Sequence, residues 1–218
     1  MSGRFEPVRE PVLERFSGHS LVSSARGTIG PWTDVQRLIN SEVSEQSEHE
    51  ERLIIVRSGE LWYRDELGSD VVVRAGEVCT IRTGFGLQFA YGGADAVVLF
   101  RGGERFTQAF YHHEWVQVME EDGFRATVLA GEYREYRGVR TDRMDGVAIW
   151  ANASATASTE LFIRPNAEHA VIVLSGSVCV EGERLMEGEA LYLGMDRFSI
   201  RVSAEVSSDF LLLGGVPL

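Results

Sequence analysis

The sequence contains no lysine, and all 21 of its basic residues are arginine. Chemistry that needs a lysine amine, such as Schiff-base formation or proton abstraction by lysine, is therefore excluded. Acidic residues number 33, which gives the chain a formal net charge of -12 at pH 7. Nucleic acids and anionic membrane surfaces require a basic footprint on the proteins that bind them, so we expect neither as a partner.

Long apolar segments are missing as well. No apolar run approaches the roughly 20 residues that span a bilayer, and the opening residues, MSGRFEPVREPVLERF, lack the apolar region of a secretory signal. The two cysteines, Cys79 and Cys179, lie in separate apolar segments and are interpreted as buried, reduced thiols. We therefore expect a cytoplasmic protein.

Helical periodicity is almost absent from the chain. Only Phe106–Val118 comes near a helical pattern. Short runs rich in β-branched residues, such as Leu53–Val56 and Val71–Val73, are typical of strands instead. Turn signals at Ser58-Gly59 and at Arg74–Glu77 follow these runs. Short strands with glycine turns at regular spacing indicate an antiparallel barrel or sandwich.

The order of strands and glycine turns repeats in the second half of the chain. Ala170–Leu174, the turn at Ser175-Gly176 and the turn at Glu187–Glu189 follow one another as their counterparts do in the first half. A repeat of this size predicts two similar units in one chain. We predict an all-β fold of two antiparallel β-barrels. Residues 1–110 would form the first barrel with an N-terminal arm, and residues 111–218 the linker and the second barrel.

The first half also resembles a known family. The segments Gly59–Gly68 (GELWYRDELG), Arg74–Val78 (RAGEV) and Arg82–Gly86 (RTGFG) look like the first cupin domain of the pirin family, which includes bacterial quercetin 2,3-dioxygenases. The final residues, DFLLLGGVPL, are similar to pirin C-termini, so the resemblance covers most of the chain. It implies a bicupin, with two barrels of the double-stranded β-helix or jelly-roll type and with its chemistry in the first barrel.

The residues at the family's metal positions differ in this chain. Pirins hold iron through a His-x-His pair and a second pair, of the His-x-Glu kind, two strands later. Aligned on the glycine turns, the first pair falls on Glu45 and Ser47, and the second on Phe89 and Tyr91. An iron(II) oxygenase site needs at least three nitrogen or oxygen ligands, and Phe89 supplies none. We predict that the family's iron site has been lost and that the chain binds no metal and no other cofactor.

The resemblance also locates a pocket in the first barrel. Glu51 stands where the family often has a glutamate, His49 is near it, and Tyr63 replaces a further inward-facing histidine. Arg57 belongs to the pocket if its side of the strand points inward. We predict three catalytic residues, Glu45, Glu51 and Tyr91, and five ligand-binding residues, Ser47, His49, Arg57, Tyr63 and Phe89.

This predicted pocket suits acid–base chemistry without a metal. A carboxylate in an apolar cup can act as a general acid or base, with a tyrosine as proton donor. The aromatic rings would contact a flat ligand. We expect an apolar or aromatic small molecule as the ligand, and an isomerisation, cyclisation or dehydration as the reaction.

Two other functions stay open at this stage. The chain could be a non-catalytic small-molecule-binding or regulatory protein that acts through a protein partner, as some pirins do. It could also be a quercetinase-like dioxygenase with an atypical metal site. Both a monomer and a homodimer stay open as well.

Overall fold

The computed structural model of the protein describes residues 13–15, 29–39, 43–45, 50–65, 70–83, 87–102, 110–114, 118–139 and 146–216. In these ranges the chain forms twenty β-strands and no helix, which confirms the all-β prediction. None of the described segments is a helix long and apolar enough to cross a membrane. The first eight strands are β1 (Leu13–Arg15), β2 (Trp32–Ile39), β3 (Val43–Glu45), β4 (Glu50–Asp65), β5 (Asp70–Arg74), β6 (Val78–Thr83), β7 (Leu87–Gly102) and β8 (Phe110–Glu114). The other twelve are β9 (Val118–Glu121), β10 (Phe124–Ala130), β11 (Glu132–Tyr133), β12 (Tyr136–Arg137), β13 (Gly146–Ala153), β14 (Ser158–Phe162), β15 (Glu168–Ser175), β16 (Ser177–Val180), β17 (Glu183–Met186), β18 (Glu189–Tyr192), β19 (Ser199–Ala204) and β20 (Ser208–Gly215).

One antiparallel sheet forms the first barrel. Its strand order is β2-β7-β4-β6-β8, with β3 also paired to β7 and β5 to β4. Strands β4 and β7 are each sixteen residues long and run side by side, from Glu50 opposite Gly102 to Asp65 opposite Leu87. Their register shifts on both sides of Ser58. Such bulges bend a strand, so these two long strands can curve and still stay paired along their whole length.

Two antiparallel sheets enclose the second barrel. The larger has the order β1-β18-β15-β20-β13-β10-β9 and the smaller β14-β19-β16-β17, while β11 and β12 form a separate hairpin. The inward sides of the two sheets share one apolar core. Phe124 and Phe210 pack edge to face within it, with ring centroids 6.3 Å apart. Other buried members of this core include Val128, Ile149, Leu161, Val173, Val180, Ile200 and Leu212.

The structure differs from the predicted division of the chain in two places. Strand β1 pairs with β18 of the second barrel, with Leu13 opposite Leu191. Strand β8 pairs with β6, so the first barrel extends to Glu114, past the predicted boundary at residue 110. Of the segment Phe106–Val118, for which a helical pattern was noted, Phe110–Glu114 forms strand β8, so the helical interpretation is wrong for these residues. Both differences arise at sheet edges, where unpaired backbone groups can be satisfied by any segment that reaches them.

A second apolar core lies between the barrels. Trp32 is 2% exposed there, and its indole Nε1 donates to the carbonyls of Val147 and Gly214, both at 3.2 Å. Removing this apolar area from water holds the two barrels together. The first barrel contributes Ile29, Trp32, Val35, Leu53, Ile55, Val78, Val97 and Leu99, and the second contributes Leu129, Ala130, Val139, Ala148, Ala170, Ile172, Leu174, Ala190, Leu211 and Leu213.

Ion pairs join the barrels beside this core. The guanidinium of Arg57 contacts Asp95 of its own barrel at 2.9 Å and Asp209 of the second barrel at 2.5 Å. Arg37 likewise contacts Asp95 at 3.1 Å and Glu187 of the second barrel at 2.8 Å. The side chain of Arg57 is only 10% exposed. The network therefore fixes how the two barrels meet.

The internal repeat places a basic residue on the inward side of each barrel. Arg52 and His169 each stand seven residues before the glycine of the matching turn. They are 2% and 1% exposed. The next residues, Leu53 and Ala170, belong to the core between the barrels. Because successive residues of a strand point to opposite sides, Arg52 and His169 lie on the barrel interiors.

Replacing Arg57 by methionine is expected to lower the free energy of unfolding by about 2 kcal/mol, since it leaves two partly buried carboxylates without their shared cation. Urea denaturation measures the loss. Arg184→Met is the matched control, because Arg184 pairs with Glu205 at the exposed surface. That variant should lose less than about 0.5 kcal/mol. Equal losses in the two variants would contradict the role assigned to Arg57.

The stability of the protein should fall as the pH drops from 6.5 towards 4, in part through His169. Burial lowers the pKa of His169 from 6.5 to about 4; the carbonyl of Ala167 opposes this shift and the charge of Arg164 adds to it. Over that range the unfolded chain binds a proton that the folded chain does not, so this contribution is complete above pH 6.5 and is lost below it.

His169→Gln removes this titration. Between pH 7 and pH 4 the wild type should lose up to about 3 kcal/mol more than the variant, as measured by denaturant titrations at the two pH values. The carboxylates titrate in both proteins, so their effect cancels in the comparison. Parallel losses in the two proteins would show that His169 is not buried in its neutral form.

Candidate functional site

Four of the residues predicted for the pocket share one side of the first sheet. Tyr63 lies opposite Phe89, and Tyr91 stands two residues further along the same strand. Glu45 stands two residues beyond the β3 residue that lies opposite Phe89. Opposed residues of an antiparallel pair lie on the same side of a sheet, and so do alternate residues along each strand. The register therefore brings Glu45, Tyr63, Phe89 and Tyr91 together.

The same side of the sheet is a buried one. Leu61 lies opposite both Tyr91 and Val73. Leu61 and Val73 are both 0% exposed, whereas Trp62, the next residue on the strand, is 50% exposed. The strand thus turns alternate residues inward and outward at this point. By strand register, Glu45, Tyr63, Phe89 and Tyr91 belong to the same side as Leu61 and Val73, and their role in a pocket stays a prediction.

Glu51 does not share that side. It alternates along β4 with Arg52 and is on the same side as Leu53 and Ile55, which belong to the core between the barrels. It is 3% exposed and lies in register between Arg82 and Arg101 of the neighbouring strands. The prediction of Glu51 as a catalytic residue at the barrel mouth therefore has no support from the geometry.

The counterpart of Glu51 in the second barrel shows what a glutamate does at this position. Glu168 stands eight residues before Gly176, as Glu51 does before Gly59. Its carboxylate accepts hydrogen bonds from the N–H of Gly30 at 3.1 Å and from the hydroxyl of Tyr192 at 2.7 Å. These bonds tie the segment before β2 to the second barrel. In this barrel the position is structural.

Arg57 also lies away from the predicted pocket. Both ends of its guanidinium are engaged by Asp95 and Asp209 at the junction of the barrels. Its side chain is committed to holding the barrels together, so the structure does not place it among the ligand-binding residues. Ser47 and His49, the other two residues predicted to bind ligand, lie outside the described residues.

Arg52 is a residue that the sequence analysis missed. It is one of the largest fully buried side chains of the described chain and lies on the interior side of the first barrel. In register it is opposite Ile81 on one side and Phe100 on the other. An arginine stays charged at any physiological pH, so it gives the barrel interior a fixed positive charge.

The second barrel has a cavity of its own. It has a volume of about 290 Å³ and reaches His169, with Arg134 and Arg164 also in its lining. The hydroxyl oxygen of Tyr133, a further lining residue, accepts a hydrogen bond from the N–H of Phe162 at 3.1 Å. Burial raises the pKa of Tyr133, so its hydroxyl keeps its proton. Among the described residues no three histidine, cysteine or acidic side chains are grouped to hold a metal ion.

Comparison with other proteins places this geometry in a family context. No family model matches the sequence. A Pseudomonas aeruginosa protein named for quercetin 2,3-dioxygenase activity is 29% identical over 171 residues, which are 73% of this chain and 54% of that protein. The chain thus spans about half the length of this relative.

Solved structures share the whole architecture. A quercetin 2,3-dioxygenase from Acinetobacter baumannii matches with a TM-score of 0.80 at 20% identity, over 95% of this chain and 77% of that one. GK1651 from Geobacillus kaustophilus matches with a TM-score of 0.76 at 15% identity, over 96% of each chain. The bacterial pirin YhhW from Escherichia coli, in complex with nickel(II), gives 0.71 at 16% identity, also over 96% of each chain.

Identities this low establish the fold, and the fold agrees with the internal repeat, the glycine turns and the antiparallel sheets seen here. The similarity extends through both barrels in each of these structures. This chain has the two-barrel fold of these structures, the bicupin fold.

Proposed function

We propose that the first barrel binds an aromatic small molecule and acts on it by proton transfer, without a metal. The observation that carries this proposal is the strand register, which puts Glu45, Tyr63, Phe89 and Tyr91 on one side of the sheet. It combines one carboxylate with three aromatic residues on a side where Leu61 is buried. Pockets with mostly apolar walls and a few polar groups are the usual binding sites for small molecules.

Each residue has a role in this scheme. Glu45 takes a proton from one atom of the ligand, and Tyr91 supplies a proton at another. Tyr63 and Phe89 provide aromatic surface for a flat ring system. Moving a proton in this way changes neither partner's oxidation state, so an isomerisation, cyclisation or dehydration needs no oxidant.

The donor atoms at the family's metal positions do not fit iron. The four positions hold Glu45, Ser47, Phe89 and Tyr91. Non-haem iron(II) oxygenases use two histidines and a carboxylate, and none of these positions is a histidine. The chemistry of this donor set supports a reaction that the chain's own residues carry out.

A second candidate function is oxygenation of a flavonol. The sequence similarity to the Pseudomonas aeruginosa protein and the fold similarity to quercetin 2,3-dioxygenase from Acinetobacter baumannii favour it. The two candidates share the class of ligand, a flat aromatic compound. They differ in whether a metal and dioxygen take part.

Proton transfer can be tested with quercetin as the probe. The measurement is the uptake of deuterium from D₂O at the carbon atoms of quercetin, in the absence of oxygen. We expect the chelator-treated protein to catalyse the exchange. Glu45→Gln should slow it by at least about 100-fold, because general acid–base groups contribute that much or more. Glu60→Gln is the control, since Glu60 pairs with Arg74 at the surface.

The same preparation, exposed to air with and without added iron(II) or nickel(II), separates the two candidates. Oxygen uptake that depends on the metal would overturn the metal-free proposal in favour of oxygenation. Binding of quercetin with neither exchange nor oxygen uptake would show a non-catalytic binding protein.

The position of the pocket can be tested with two adjacent aromatic residues of β4. Tyr63→Ala removes a ring from the inward side and should weaken quercetin binding about tenfold, or about 1.4 kcal/mol. Trp62→Ala removes a larger ring from the outward side, where Trp62 is 50% exposed, and should leave binding unchanged. Fluorescence titration measures both. Weaker quercetin binding in the Trp62 variant alone would show that the ligand binds on the outward side of the sheet.

A further inference from the structure

The mouth of the second barrel holds a cavity that the proposed function does not use. Its volume is about 290 Å³. Phe162 and Arg164 line it, and they stand 14 and 12 residues before Gly176. Glu45 and Ser47 stand at these distances before the matching glycine of the first half. Two residues of the cavity lining thus match, by their positions in the repeat, two residues predicted for the first-barrel pocket.

His169 forms the buried end of the cavity. Its side chain is 1% exposed, and its Nδ1 has no hydrogen-bond partner in the described chain. The ring lies directly against Gly214, where a Cβ atom would come within 2.4 Å of the imidazole Cδ2. The absence of a side chain at Gly214 is thus what lets the ring lie in this position. The cavity reaches His169 between walls that include Ile163 and Leu212, while Nδ1 itself is closed to solvent.

Arginines stand at the outer part of the cavity. Arg164 is exposed and makes no ion pair with any residue that the structure describes. Arg134 is held in place, with its Nη1 at 3.0 Å from Glu121 and its guanidinium carbon 5.2 Å from the ring centroid of Phe162. The acidic lining residue Glu132 is neutralised by Arg137 at 3.1 Å. The field at the cavity entrance is therefore positive, although the whole chain is acidic.

The middle of the cavity suits a ring. The guanidinium carbon of Arg134 lies 5.8 Å from the ring centroid of Tyr133. The rings of Tyr133 and Phe162 therefore both make cation–π contacts with this arginine in the cavity wall. Val147, Ile163 and Leu212 supply apolar surface. At about 290 Å³ the space is at the small end of ligand pockets, which suits a single ring with its substituents.

We propose that this cavity is a second ligand site, which binds a small aromatic acid. The carboxylate contacts Arg164 at the entrance. The ring packs against Tyr133, Ile163 and Leu212.

The test uses 4-hydroxybenzoate as the probe and isothermal titration calorimetry on the whole chain. We expect saturable binding to the wild type and an affinity at least tenfold lower for Arg164→Gln. Arg184→Gln, which removes an arginine on β17 outside the cavity lining, should bind as the wild type does. Wild-type affinity in the Arg164 variant, or no saturable binding at about 10 mM probe, would overturn the proposal.

An analogue tests the charge contact of the proposed site. 4-Hydroxybenzyl alcohol lacks the carboxylate, so it should bind at least tenfold more weakly than 4-hydroxybenzoate. Equal binding of the two compounds would show that Arg164 does not recognise a carboxylate in this cavity.

Quercetin binding distinguishes this site from the first-barrel pocket. Arg164→Gln should leave quercetin binding unchanged, whereas Tyr63→Ala should leave 4-hydroxybenzoate binding unchanged. Competition between the two ligands, or a shared response to one variant, would show that the second barrel holds no separate site.

Discussion

The packing of the first barrel against the second is the constraint on which the other features of the structure depend. Strands β4, β7 and β6 bury one side against the neighbouring barrel and the other side inside their own barrel. Trp32 secures this contact, since its indole satisfies two backbone carbonyls of the second barrel that face the junction. Residues 51–56 of β4 are buried on both sides, so each of them belongs either to the junction or to the barrel interior.

This division decides what each charged residue can do. Glu51 and Glu168 are on the junction sides, and the second of them holds the segment before β2 in place. Arg52 and His169, one residue later, lie in the interiors. A shift of one residue in either strand would exchange these roles. The chemistry of each barrel is therefore set by strand register as much as by residue type.

The fold could be predicted from the sequence because its signals are local and occur twice. Glycine turns and β-branched runs recur in the same order, and each unit is a barrel. The side on which Glu51 lies could not be predicted, because a strand buried on both sides has a continuous apolar run, such as Leu53–Val56, in which no alternation is visible. Arg57 follows this run at the place where the register of β4 shifts, so counting along the strand cannot assign its side.

The cavity of the second barrel was hidden from the sequence for a different reason. Arg134, Arg164 and His169 come from three segments that only the closed barrel brings together. The one local signal was a lone histidine beside Glu168 in an apolar strand. A histidine in that setting is as easily a packed core residue as part of a site, and only the folded structure shows that a cavity reaches it.

The pairing of β1 with β18 has a consequence for how the chain is made. Leu13 precedes its partner Leu191 by most of the described chain. The second barrel therefore cannot receive β1 as its edge strand until β18 has been made. Contacts between segments so distant in sequence form slowly, because a long loop must close first. Once β1 has paired, the edge of β18 is covered and is no longer available for pairing with another chain.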